Sequence, residues 1–224
     1  MNIRSKPRSF VLRKGRVTSA QQDALTTLRS KFILEDTCKK LDFEVLFDNT
    51  NPTVVDIGFG SGETLLYLAK NNPHKNFLGI EVYLSGIGSS LRKAGLQELT
   101  NLRIINKDAD LVFKENIPIQ SLEGVVLFYP DPWQKRKHHK RRLIQKDFLE
   151  SINLSLLVDG FIYCRTDWED YAKHISTVFR SVIGWDKNLI TDLAVCYQEI
   201  PSTRYEKKAL REGRVLNDLV YRKV

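Results

Sequence analysis

Paired cysteines are absent from this sequence of 224 residues, which holds only Cys38, Cys164 and Cys196, far apart and with no C-x-x-C spacing. An odd, scattered set argues against a disulfide-stapled secreted scaffold and fits a reducing compartment. Long apolar runs are absent too. No stretch approaches the roughly 20 apolar residues of a membrane helix, and no apolar segment backs the basic first residues as a secretory signal requires. A cytoplasmic location without membrane attachment is therefore expected. Four histidines include the adjacent pair His138-His139, but no spacing suits a zinc site, so no metal is expected. Neither an internal repeat nor a low-complexity linker interrupts the chain. With 42% hydrophobic and 10% aromatic residues, the composition is that of a globular protein rather than a disordered one. The length suits one large α/β domain or two small ones, with a core that needs no staples.

Acid is missing from two stretches. Residues 1–16 hold six basic side chains (Arg4, Lys6, Arg8, Arg13, Lys14, Arg16), and residues 135–142 hold six more beside two histidines. The net charge is +8, yet outside those stretches 23 basic residues face 27 acidic ones. Positive charge clustered on a mildly acidic body points to a polyanionic partner more than to general solubility. Residues 1–17 are expected to form a basic, mobile arm, and residues 18–224 a single domain.

Along that body, helical spacing runs from Ser19 to Cys38, with apolar positions at Ala24, Leu25, Leu28, Phe32 and Ile33. Five short apolar segments then end at or near an acid: Thr53–Ile57, Asn76–Glu81, Leu102–Ala109, Gly124–Asp131 and Gly160–Asp167. Helical patterns separate them at Leu65–Lys70, Gly88–Leu99 and Lys146–Leu157, and another follows at Glu169–Val182. Strands alternating with helices predict a parallel sheet with right-handed crossovers. Two late strands, Val195–Ile200 and Asp218–Val224, are expected as an antiparallel pair with no helix between them. In such a sheet the ligand sits at the carboxyl ends of the strands. Asp56, Glu81, Asp108, Asp131 and Asp167 all fall at or near that edge.

The turn after the first strand reads D-I-G-F-G-S-G, with Gly58, Gly60 and Gly62. Glycines between a strand and a helix let the backbone turn tightly and approach a ligand. Where a dinucleotide site would place a third glycine, this chain has Glu63, which would repel a pyrophosphate. Asp56 suits a cationic or amine-bearing ligand instead. S-adenosylmethionine, with a sulfonium and an ammonium but no phosphate, fits. Glu81, 23 residues after Gly58, stands where an acid accepts ribose hydroxyls, and Asp108 is placed to accept from the adenine amino group.

The fourth strand ends in Y-P-D-P-W (Tyr129–Trp133), followed by the basic run Lys135–Arg142. With R-S-F-V-L-R-K-G-R (Arg8–Arg16), D-I-G-F-G-S-G-E, F-L-G-I-E, K-D-A, T-D-W (Thr166–Trp168) and S-T-R-Y-E-K-K (Ser202–Lys208), this stretch resembles the bacterial tRNA (guanine-N7-)-methyltransferase family over nearly the whole chain. The resemblance implies a Rossmann-like α/β fold: a seven-stranded methyltransferase sheet, mostly parallel with an antiparallel late strand, and helices on both faces. It implies methyl transfer from S-adenosylmethionine to N7 of guanine 46 in the tRNA variable loop. Carried over by motif, Asp131 is the catalytic position. Asp56, Gly58, Gly60, Glu81, Asp108 and Ala109 bind the cofactor. Lys135, Asp167, Thr203, Arg204, Tyr205 and Glu206 contact the substrate, and Lys137, His138, His139, Lys140, Arg141 and Arg142 lie against RNA. Asp56 stands where the family often has glutamate, and Gln134 where proline or histidine is common. The partner is tRNA, with no obligatory protein partner, and the enzyme is expected as a monomer or homodimer.

Guanine N7 carries an in-plane lone pair and no proton, so its methylation needs no general base. Alignment and electrostatics must do the work. Positive charge passes from the donor sulfur to the purine, and a fixed carboxylate beside the ring, Asp131, would favour that shift. Trp133 is read either as a platform for a base or as a packing residue. Glu206 is read either as an acceptor for the guanine Watson–Crick edge or as a surface carboxylate beside Lys207 and Lys208. A dinucleotide-dependent dehydrogenase is disfavoured by Glu63 and the basic run. Another RNA methyltransferase, with an amino-group or rRNA target, is disfavoured by the P-D-P-W and T-R-Y-E-K-K segments.

Overall fold

The computed structural model describes residues 7–11, 16–35, 39–187 and 200–224. Cys38, Cys196, Arg4, Lys6, Arg13, Lys14 and all of the expected strand Val195–Ile200 except Ile200 lie outside the described residues.

Helix α1 (Ser19–Thr27) starts at a reciprocal cap, Thr18 Oγ1 accepting from Gln21 N and Thr18 N donating to Gln21 Oε1. The helical stretch expected to reach Cys38 instead breaks at Leu28, resumes as α2 (Arg29–Phe32) and stops there. Its stop is a competing partner: Ile33 forms a parallel bridge with Ile104, and Leu34 N donates to Ile104 O. Helix α3 (Phe43–Phe47) is capped by Asp42, whose Oδ1 accepts from Glu44 N and Val45 N.

The sheet then builds by alternation: β1 (Thr53–Ile57), α4 (Glu63–Asn71), β2 (Asn76–Ile80), α5 (Leu84–Leu96), β3 (Leu102–Ile105), α6 (Ala109–Glu115) and β4 (Leu122–Phe128). A 3₁₀ turn (Arg136–Arg141), α7 (Lys146–Ser155), β5 (Leu156–Thr166), α8 (Glu169–Arg180), β6 (Trp185–Asp186), α9 (Arg204–Arg211) and β7 (Asn217–Lys223) follow. The strand order is β3-β2-β1-β4-β5-β7-β6. Pairs among β1 to β5 are parallel, whereas β7 runs antiparallel to both β5 and β6. The antiparallel late strand is as expected. Its described edge partner, however, is the two-residue β6, and helix α9 stands before β7 where no helix was expected. The sequence around α9 is so polar that only Ala209 is buried, so no apolar stripe announces it.

Each face of the sheet is covered. On one, α6, α7 and α8 pack Val112, Phe148, Ile152, Tyr171 and Phe179 against Val55, Ile57, Leu78 and Ile162. On the other, α1, α4 and α5 pack Leu25, Leu65, Leu68, Ile87 and Leu91 against Val54, Phe77, Ile104 and Tyr163. Double coverage buries all five residues of β1 and all five of β2, which is why those strands read as continuous apolar runs. Strand order reverses direction between β1 and β4. That reversal opens a crevice at their carboxyl ends, where ligands of open α/β sheets bind.

Candidate active site and nucleic-acid interface

The crevice begins at Asp56, buried near the end of β1. Its Oδ2 is buried without a hydrogen-bond partner among the described residues. Burial, and then the nearby Glu81 carboxylate, push its pKa from the ordinary 3.8 up to about 8. A buried carboxyl oxygen without a donor is costly, and a cationic or amine ligand would supply what it lacks.

After β1 the chain turns at Gly58 and Gly60, with φ of +71° and +56°. A Cβ built on either would meet nothing within 4 Å, so these backbones border open space. Glu81 holds the turn: its Oε2 accepts from Gly60 N at 2.9 Å, and its Oε1 from Val82 N and Tyr83 N at 2.6 and 3.0 Å. The residue expected to bind ribose thus also fixes the glycine turn, with acceptor capacity to spare. Asp108 caps α6, accepting from Asp110 N at 3.1 Å, and Ala109 opens that helix. Next to them a pocket of about 270 Å³ is lined by Arg8, Phe10, Val82, Asn106, Lys107, Asp108 and Leu111. Sequence reasoning counted Arg8 only among the basic residues of the arm and assigned no role to Phe10. The available signal was an apolar F-V pair inside an otherwise polar arm.

Trp133 Nε1 donates to Ser9 O at 2.9 Å and the Tyr83 hydroxyl donates to Val11 O at 2.6 Å, so residues 7–11 lie docked against Trp133 and Tyr83 beside this pocket. Trp133 is half-buried and packs in this way, with Arg141 over its ring at 4.9 Å and His138 edge-on at 5.8 Å.

Strand β4 stops three residues before Asp131, because Tyr129 turns left-handed (φ +53°) and Pro130 has no N–H to continue the ladder. Trp133 on the far side is also left-handed (φ +46°). The loop between them is pinned by Tyr129 N to Arg165 O at 2.7 Å and by Arg142 Nε to Pro132 O at 2.9 Å. Asp131 stands exposed at its tip.

Helix α9 brings the T-R-Y-E segment to this loop. Thr203 caps it, accepting from Glu206 N at 3.2 Å, and Arg204 N points at Glu63 Oε2 at 3.4 Å. Tyr205 stacks on Tyr129 with centroids 6.3 Å apart, while Arg204 lies over the Tyr205 ring at 5.0 Å. Glu206 is not the surface partner of Lys207 and Lys208; it turns inward to Arg165 Nη1 at 3.6 Å and accepts from Ser202 Oγ at 3.2 Å. Asp167 is paired with Arg214. The Tyr129 hydroxyl is buried without a partner among the described residues, and burial followed by Glu206 raises its pKa, keeping it a donor.

Lys135, the N-cap of the 3₁₀ turn, and Arg136, Lys137 and Lys140 within it face solvent. Arg142 corrects the expected row of RNA contacts. Its side chain is 1% exposed and paired with Asp170 rather than turned to solvent. His139 turns the same way, with Nε2 3.7 Å from Asp170 and 3.1 Å from Arg142 Nη2. The eight-residue run has a compensating acid after all, supplied from α8, 28 residues beyond Arg142.

A doubly covered sheet of this strand order, with a glycine turn after β1 and acids at neighbouring strand ends, defines a Rossmann-like methyltransferase. A family model described as "Putative methyltransferase" matches residues 50–219. The chain is 41% identical over 219 residues to a tRNA (guanine-N(7)-)-methyltransferase of Psychromonas ingrahamii, covering 98% of this chain and 90% of that one. To the enzyme of the same name from Nitrosomonas europaea it is 40% identical, covering 96% and 95% of the two chains. The solved 16S rRNA methyltransferase KamB shares the fold at TM-score 0.58 and 15% identity, over 86% of this chain and 98% of that one. This chain belongs to the tRNA (guanine-N(7)-)-methyltransferase family.

Proposed function

We propose that this protein transfers a methyl group from S-adenosylmethionine to N7 of guanine 46 in the variable loop of tRNA. One juxtaposition carries the reading. A carboxylate on a loop pinned at both ends stands between a crevice suited to a cationic ligand and a solvent-facing row of lysine and arginine. The names of the relatives support guanine N7 of tRNA as the target.

S-adenosylmethionine would supply an electrophilic methyl group. Asp56, the Gly58–Gly60 turn, Glu81, Asp108 and Ala109 would hold it, and the unpartnered Asp56 oxygen and the open space beside the glycines fit such a ligand. No residue has to remove a proton from N7. Asp131 favours the purine as it gains positive charge. The Tyr129–Tyr205 stack carries Thr203, Arg204 and Glu206 to the Asp131 loop, where they frame the base with Lys135 and Asp167. Lys137, Lys140 and Arg141 meet phosphates, which set register and affinity rather than base identity.

The test is transfer of labelled methyl to an unmodified tRNA transcript, with the product located by nuclease digestion and mass spectrometry. Label in 7-methylguanosine at position 46, lost when that guanine is replaced, is the expected result. Asp131→Ala should lower turnover at saturating tRNA by about 10²–10³-fold, the range for losing one electrostatic stabiliser. Label elsewhere, or near wild-type turnover in that variant, would overturn the target or the role of Asp131.

A further inference from the structure

Arg142 is among the largest fully buried side chains of the described protein, which is a costly place for a cation. What surrounds it explains the choice. Nε donates to Pro132 O at 2.9 Å, Nη2 donates to Asp170 and lies 3.1 Å from His139 Nε2, and the guanidinium covers the Tyr171 ring at 4.9 Å. Its own amide donates to His139 O at 3.0 Å, and its carbonyl accepts from Gln145 Nε2 at 3.2 Å. One side chain therefore ties together the end of the basic turn, the N-terminal turn of α8 and the carbonyl immediately after Asp131.

We propose that Arg142 is a positioning residue that fixes the Pro132 carbonyl, and thereby the aim of Asp131, so that the basic turn and the catalytic loop move as one body. The proposal rests on the reading of Asp131 given above. Its logic is the planar fork of arginine: one edge can serve a backbone carbonyl while another serves a carboxylate. A lysine keeps the charge beside Asp170, but its one ammonium lacks the two separated donor edges that meet Pro132 O and Asp170. RNA settling on Lys137, Lys140 and Arg141 then bears on a turn rigidly linked to Asp131, although Arg142 itself touches no phosphate.

Arg142→Lys tests this. With wild-type protein as reference, three quantities are read: single-turnover methyl transfer at saturating tRNA and cofactor, tRNA affinity across a salt series, and amide hydrogen exchange of a peptide spanning residues 129–135. Transfer is expected to fall about tenfold to a hundredfold, as for a reacting group displaced by about an ångström. The tRNA Kd and its salt slope should stay within about twofold of wild type, since every phosphate keeps its cation. The 129–135 peptide should exchange faster while peptides from β1 and β2 do not change. An unchanged rate overturns the proposal. So does a tRNA Kd weakened well beyond twofold, because a buried residue that touches no phosphate leaves affinity alone. If Arg142→Lys does not fold, Asp170→Ala replaces it. Asp170 is 61% exposed, and its loss frees one side of the fork. The same direction of change in transfer and exchange is then expected, and wild-type values for both overturn the proposal. Should wild-type protein transfer no methyl to tRNA, the functional reading fails, and hydrogen exchange alone decides whether Arg142 holds the loop.

Discussion

Asp56 shows how one residue can make ligand binding depend on pH. Burial and Glu81 raise its pKa to about 8, so the folded protein keeps a proton that the unfolded chain gives up near 3.8. The contribution to stability is therefore full below about pH 4, declines as pH rises, and is lost once pH passes about 8. A ligand ammonium or sulfonium beside the group favours the carboxylate and drives that proton off. Calorimetry near pH 7 in buffers of different ionisation enthalpy should register proton release on S-adenosylmethionine binding. Affinity should rise with pH by up to about tenfold per unit until pH 8. Asp56→Asn should abolish both effects, and buffer-independent heats in the parent protein would contradict them. Of the candidate site, the strand-end acids were legible because each lies at or near the end of a short apolar run. The inward turn of Arg142 and Glu206 was not, because their partners, Asp170 and Arg165, lie 28 and 41 residues away in the chain.

Among elements, the 3₁₀ turn and its C-cap Arg142 put their charges in three settings. Lys137 and Lys140 face solvent, Arg141 lies against the Trp133 ring, and Arg142 faces inward. Replacing Lys137 and Lys140 by alanine should reduce the slope of log Kd for tRNA against log salt by roughly 0.7–0.9 for each phosphate no longer neutralised. Methyl transfer at saturating tRNA should remain near its parent value. A salt series of filter-binding measurements reads the slope, and no change would mean these lysines touch no phosphate. Helix α9 is the element the sequence hid. Its polar surface offers no apolar face to the sheet, and a stack of two tyrosines and the Glu63 contact fix it instead. Those are pairings between positions far apart in the chain, invisible to any local pattern. The early end of the first helical stretch has a similar origin, since Ile33 leaves the helix for a sheet partner 71 residues later.

For the molecule as a whole, the two apolar layers meet through the sheet, and the β4–β5 seam that carries the Asp131 loop is packed without slack. A Cβ added to Gly124 on β4 would sit 2.2 Å from the Phe161 ring on β5. Gly124→Ala should cost about 1–3 kcal/mol, as overpacked cores do. The urea midpoint should fall with an unchanged m-value. An unaltered midpoint would mean that Phe161 swings aside at no cost. The parallel order of β1 to β5 was readable from strand–helix alternation, because a buried parallel strand must be apolar on both faces. The two-residue β6 was not, being too short for any periodicity to register.

The docked arm also sets a timetable for synthesis. Val11 finds its anchor on Tyr83 72 residues later, and Ser9 finds Trp133 only after 124. At about 5–20 residues per second on the ribosome, the second anchor emerges roughly 6–25 s after the segment it holds. For that interval the basic arm leaves the ribosome ahead of its own binding surface, beside ribosomal RNA of opposite charge. The crevice can close along this wall only late, when β4 and the loop that follows it have been made.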